Sequence, residues 1–119
     1  MSWRRWLPPT LWAAVILLLT SIPIPQTVSV PSGDKLAHLI MYGVLGFLSV
    51  RAAWQPEAPV RALVLVVCGI AVFAALDELH QAVLTSRTAD HLDWYADVVG
   101  ASLGGILASA QLRLRERPS

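Results

Sequence analysis

Between Arg61 and Asp77 the chain runs for fifteen uncharged, largely apolar residues, and then meets Asp77-Glu78-Leu79-His80-Gln81. A stretch of that kind reads as the body of a membrane-embedded helix, so two acids, an imidazole and an amide arrive where hydrocarbon should still be. Ionisable side chains at bilayer depth cost about 2.5–3.5 kcal/mol each on insertion scales, and they mark a functional site by default. The composition agrees with that setting. Hydrophobic residues make up 55% of the chain and charged residues 14%, with mean hydropathy +0.58, too apolar for an ordinary soluble domain.

Prolines and polar clusters divide the 119 residues into four helices within a single domain. The first is expected over about residues 7–24, after Arg4 and Arg5, with Pro8 and Pro9 in the first turn where a missing N–H does no harm. Its rival is a signal peptide, but Ser21-Ile22-Pro23-Ile24-Pro25 is a poor cleavage site, so it reads as a retained helix. The second is expected over 34–54, capped by Ser32 or Asp34, the third over 60–84 and the fourth over 90–112. Connections this short force antiparallel neighbours, which gives an all-α membrane protein, an antiparallel four-transmembrane-helix bundle. Placing both termini in the cytoplasm puts Arg4, Arg5, Arg51, Arg61, Arg113, Arg115 and Arg117 inside, and only Lys35 and Arg87 outside. A net charge of +1 with no basic stripe excludes nucleic acid as a partner, and the lone Cys68 excludes an internal disulfide or a cysteine metal site.

The acids show the opposite asymmetry. Asp34, Asp77, Glu78, Asp90, Asp93 and Asp97 fall at the outer ends of three helices, as do His38, His80 and His91. The helical period places Asp90, Asp93, Asp97, Gly100 and Gly104 on one stripe, and Lys35, His38 and Tyr42 on another. Asp77 and Gln81 share a face, with Glu78 and His80 beside it. Gly100 and Gly104 form a GxxxG pattern that admits a close-packed helix and makes self-association through the fourth helix feasible. The polar stripes therefore point into the bundle, toward one cavity in the outer leaflet.

These residues carry a resemblance to the VanZ-like family of small bacterial membrane proteins. The matching pieces are Asp34-Lys35-x-x-His38-x-x-x-Tyr42, Asp77-Glu78-x-His80-Gln81, Arg87-Thr88 and Asp93-x-x-x-Asp97-x-x-Gly100-x-x-x-Gly104, spread over roughly residues 15–108. Where the family usually carries Asn, this chain has Asp97; a hydrogen bond donated by that amide would here need a protonated Asp97. The resemblance implies the bacterial cytoplasmic membrane, an outward-facing site and a connection to teicoplanin resistance, without implying a reaction.

Two functions follow as expectations. The first is recognition of an amphiphilic cell-envelope molecule, lipoglycopeptide- or lipid-precursor-like, with Glu78, Gln81, Arg87 and Asp93 on the head group and helix surfaces on the acyl chain. The alternative is a membrane-embedded hydrolase or transferase acting on a lipid-linked envelope substrate, with His38, Asp77, Glu78, His80 and Asp93 as its acid–base set. No cofactor is required by either, and a divalent cation is compatible with both, since it would bridge carboxylates to a phosphate. Asp77-x-x-His80 has half of a bundle metal motif but no second half, so a metal is not expected there. Against both functions stands a purely structural reading: a polar helix end, or an ion-pair network clasped by Lys35 and Arg87.

Overall fold

The computed structural model describes residues 2–22, 31–84 and 90–118. All the regular structure there is helical: a 3₁₀ turn at Trp3–Trp6, then α1 (Leu7–Thr20), α2 (Pro31–Ala53), α3 (Pro59–Leu84) and α4 (His91–Glu116). Two helix starts differ from expectation in an instructive way. α2 begins at Pro31, so Asp34 lies in its first turn and not at a cap position; a proline pre-sets φ for the first turn and lacks an N–H that would go unpaired there. At α4, Asp90 is the N-cap, and its carboxylate accepts the Leu92 N–H at 2.9 Å. The same helix continues past 112 to Glu116 before Pro118. Its last turn is held by Trp54, whose Nε1 donates to Glu116 Oε1 at 2.6 Å.

The centre of the fold is the contact between α2 and α4, which lie side by side and run in the same direction. Lys35 meets Asp93 at one end, Arg51 Nη1 donates to Gln111 Oε1 at 2.6 Å near the other, and Trp54 reaches Glu116 beyond it. Glycines set the spacing. A Cβ added at Gly46, Gly100 or Gly104 would collide with the backbone carbonyls of Ala101, Leu39 and Gly43 respectively. Gly100 and Gly104 thus admit α2 of the same chain. At Gly105 an added Cβ would come within 2.7 Å of Leu63 on α3, so the neighbouring face of α4 seats the third helix.

α1 leans on α2 and α3. Trp12 Nε1 donates to the Met41 carbonyl at 2.8 Å, and Arg5 Nη2 to the Arg51 carbonyl at 3.2 Å. Ile16 is fully buried, while Leu11, Leu18 and Leu19 face outward. The molecule is apolar outside as well as within: Val64, Leu65, Val72, Leu76, Leu103 and Leu107 are all more than half exposed. Two helices, α2 from Asp34 and α3, are long and apolar enough to cross a membrane. α1 spans only about 21 Å at 1.5 Å per residue, short of a hydrocarbon core of about 30 Å.

Candidate functional site

Three helices deliver polar side chains to one end of the α2–α4 contact. From α2, residues 35, 38 and 42 stack on one face, three and four positions apart, as the helical period requires. Lys35 Nζ lies 2.8 Å from Asp90 Oδ2 and also pairs with Asp93. One turn deeper, His38 Nδ1 sits 2.7 Å from Asp97 Oδ1, and its Nε2 lies 3.9 Å from Asp34 and 4.0 Å from Asp93. At 2.7 Å one proton lies between the ring nitrogen and the carboxylate oxygen, shared by His38 and Asp97. Deeper still, Tyr42 OH donates to Asp77 Oδ2 at 3.0 Å.

From α3 come Asp77 and Glu78, which diverge although adjacent. Asp77 turns toward α1 and α2: besides Tyr42 it accepts the hydroxyl of Thr20 at 2.8 Å. Glu78 turns toward α4, where its Oε2 accepts the Asp90 backbone N–H at 3.2 Å. The nitrogen and oxygen donor atoms of His38, Glu78 and Asp97 lie within 4.8 Å of one another, and those of Asp34, His38 and Asp93 form a second such group. His38 belongs to both. Neither group includes Asp77 or His80, the two residues that the Asp-x-x-His spacing singles out.

His38, Tyr42, Asp77, Glu78, Gln81, Asp93 and Asp97 are all buried, and Asp34 and Lys35 are partly so. Arg87 lies outside the described residues. His80 departs from the expected single cavity. It lines an open groove of about 540 Å³ between α1 and α3, together with Asp77, Leu17, Leu18, Phe73 and Leu76, and its buried Nδ1 has no hydrogen-bond partner among the described residues. A second groove of about 400 Å³ runs past Glu78, Leu79, Asp90, His91 and Trp94. Trp94 donates from Nε1 to the Ala71 carbonyl at 2.8 Å and helps hold α4 against α3. Its neighbour Tyr95 is exposed.

Sequence reasoning missed Thr20 and undervalued Asp90. Thr20 carries a signal in hindsight, as a hydroxyl on an otherwise apolar face one turn beyond Ile16, but its partner lies 57 positions away. Asp90 joins three elements: its carboxylate takes Lys35 and the Leu92 N–H, while its own N–H reaches Glu78. Hydrogen bonds from Lys35, first, and from Leu92 hold its carboxyl below the ordinary aspartate range. A depressed folded-state pKa contributes stability above the unfolded value, and that stability is lost as pH falls through the folded one. The pair is more than a third exposed, so solvent screening keeps the contribution small. Asp90→Asn should therefore lose less melting temperature than wild type between about pH 6 and pH 2. Parallel acid losses in the two proteins would refute the assignment.

A protein-family model described as VanZ/LLP1 matches residues 3–113. Neither the curated proteins nor the solved structures contain a match to the chain.

Proposed function

The chain belongs to the VanZ/LLP1 family, and from that premise we propose that it is a multi-pass protein of the bacterial cytoplasmic membrane whose polar site, opening outward, recognises the head of an amphiphilic cell-envelope molecule. In this reading all four helices cross the bilayer as an antiparallel bundle with both termini in the cytoplasm, α1 together with the 3₁₀ turn Trp3–Trp6, whose residues at about 2.0 Å each extend it by about 8 Å. The observation that carries it is the inversion of polarity at one end of the fold. Six titratable or amide side chains (His38, Asp77, Glu78, Gln81, Asp93 and Asp97) are buried, while leucines and valines cover the outside. In a soluble domain such an outer surface would be a large uncovered apolar patch; against lipid it is the expected one. The groove beside α1 supports the amphiphile: apolar walls of Leu17, Leu18, Phe73 and Leu76 suit an acyl chain, with Asp77 and His80 at its polar part.

The test is binding by the purified full-length chain in lipid nanodiscs, with a labelled lipoglycopeptide and a labelled lipid pyrophosphate as separate probes. Lys35→Ala and Glu78→Gln should each weaken binding of the recognised probe by about tenfold or more, as loss of a charge contact with a bound head group does. Glu57→Gln, outside the site, should leave it unchanged. Equal binding by all four proteins would discard this reading.

One observation favours a second reading, a hydrolase or transferase acting on a lipid-linked envelope substrate. The His38–Asp97 pair at 2.7 Å is a positioned imidazole–carboxylate unit that can move a proton. Turnover of the lipid pyrophosphate by wild type, and its loss in His38→Gln, would establish it; absence of turnover leaves recognition alone.

A further inference from the structure

We propose that His38, Glu78 and Asp97 form a binding site for one divalent transition-metal ion of the Mn²⁺ or Zn²⁺ kind. The three residues come from α2, α3 and α4, and their donor atoms already lie within 4.8 Å of one another. Donors sharing an ion at metal–ligand distances of 2.0–2.2 Å stand about 3.0–3.5 Å apart, so side-chain rotation alone can close the set. The backbone does not have to move. Gly100, one turn after Asp97, packs directly on the Leu39 carbonyl, one residue from His38, and this holds the two ligand-bearing turns at a fixed separation.

A second observation points to a cation. Glu78 Oε1 and Asp97 Oδ2 are buried acceptors with no hydrogen-bond partner among the described residues, in side chains that are 8% and 0% exposed. Buried carboxylate oxygens lacking donors are costly, and what they lack is positive charge. The balance of charge fits a single divalent ion: neutral imidazole and two carboxylates neutralise it. For His38 to ligate through the nitrogen facing Asp97, the proton now shared there must leave Nδ1 and the ring must carry its proton on Nε2. That nitrogen faces Asp34 at 3.9 Å and Asp93 at 4.0 Å, longer than a hydrogen bond in this structure but within a small side-chain rotation of the carboxylate contact that orients a metal-binding histidine. An imidazole in the set favours Mn²⁺ or Zn²⁺ over Mg²⁺ or Ca²⁺, which prefer oxygen alone.

The bearing on function rests on the recognition reading above: an ion here would offer a phosphate- or carboxylate-bearing head a cationic partner in a site dominated by carboxylates. Metal binding is nevertheless measured without any envelope ligand, so the two ideas fail separately. The full-length chain, purified in detergent and stripped with chelator, is titrated with Mn²⁺ or Zn²⁺ alone. Bound metal is counted by elemental analysis, and Mn²⁺ is followed by electron paramagnetic resonance. The expected result is about one ion per chain with nitrogen coupling to the Mn²⁺ signal. That coupling should vanish in His38→Gln, and affinity should fall about tenfold or more in Glu78→Gln and Asp97→Asn. Glu57→Gln should bind as wild type. Retention of no ion, a signal without nitrogen coupling, or equal binding by the three site variants overturns the proposal. If the variants aggregate, nitrogen coupling in the wild-type spectrum decides alone.

Discussion

Gly104→Ala is expected to unfold or strongly destabilise the chain, whereas Gly69→Ala should make it slightly more stable. The substitution is chemically identical at the two positions, and both glycines sit inside helices. Alanine gains about 0.8–1.0 kcal/mol over glycine from helix propensity alone. At Gly69 no atom of the described residues lies within 4 Å of the added carbon, so that gain stands. At Gly104 the added carbon would collide with the Gly43 carbonyl oxygen and lie 2.7 Å from its carbon. Those are backbone atoms, which have no rotamer to swing away, so α2 and α4 must part. Overpacking costs about 1–3 kcal/mol even where side chains can adjust, and here it exceeds the propensity gain. Separation of the two helices would also pull Lys35 and His38 from their carboxylates. Unfolding in one detergent, followed by circular dichroism for both variants, reads the two signs directly. A Gly104→Ala protein at least as stable as wild type would show that α2 and α4 do not meet this way.

The second large effect belongs to Asp77. Asp77→Ala removes the common acceptor of Thr20 and Tyr42, and so the polar tie that joins α1, α2 and α3. Interhelical hydrogen bonds inside membranes average about 0.6 kcal/mol and reach about 1.7 kcal/mol. Truncation also strands the fully buried Tyr42 hydroxyl, which adds about 1–3 kcal/mol. The expected loss is about 2–4 kcal/mol on those terms. Asp77→Asn retains a carbonyl acceptor and should lose less. The double substitution Asp77→Ala with Tyr42→Phe should lose less than the sum of the two single changes, because the stranded hydroxyl is gone. Strict additivity would mean that the tyrosine and the aspartate are not coupled.

Much of the site was legible from period and charge. The spacing of Lys35, His38 and Tyr42 required them to share a face of α2, and Asp93, Asp97 and Gly100 to share one on α4. Acids gathered at one set of helix ends implied cations and histidine among them, and Lys35 and His38 occupy those places. Helix borders were less legible, because Pro31 can open a helix as well as end a loop, and Arg113 to Glu116 continue one as readily as they make a basic tail. The fate of neighbours on α3 was not legible at all. Asp77, Glu78 and His80 fall on three different faces, and α3 meets α1, α2 and α4 on different sides, so the period alone does not say which helix each one faces.

What the sequence determined by itself is local: four helices, the faces that carry charge and glycine, the apolar surface and the family. Those follow from the period of the helix and the transfer cost of side chains, both properties of short stretches. The tertiary structure decided the partners. It set α2 against α4 through glycine contacts, sent Asp77 to a hydroxyl on α1, turned His80 to a groove, and brought His38, Glu78 and Asp97 together around two oxygens without a partner among the described residues. Partner choice depends on which surfaces interlock at atomic distance, across as many as 62 positions of chain, and no local pattern encodes that fit.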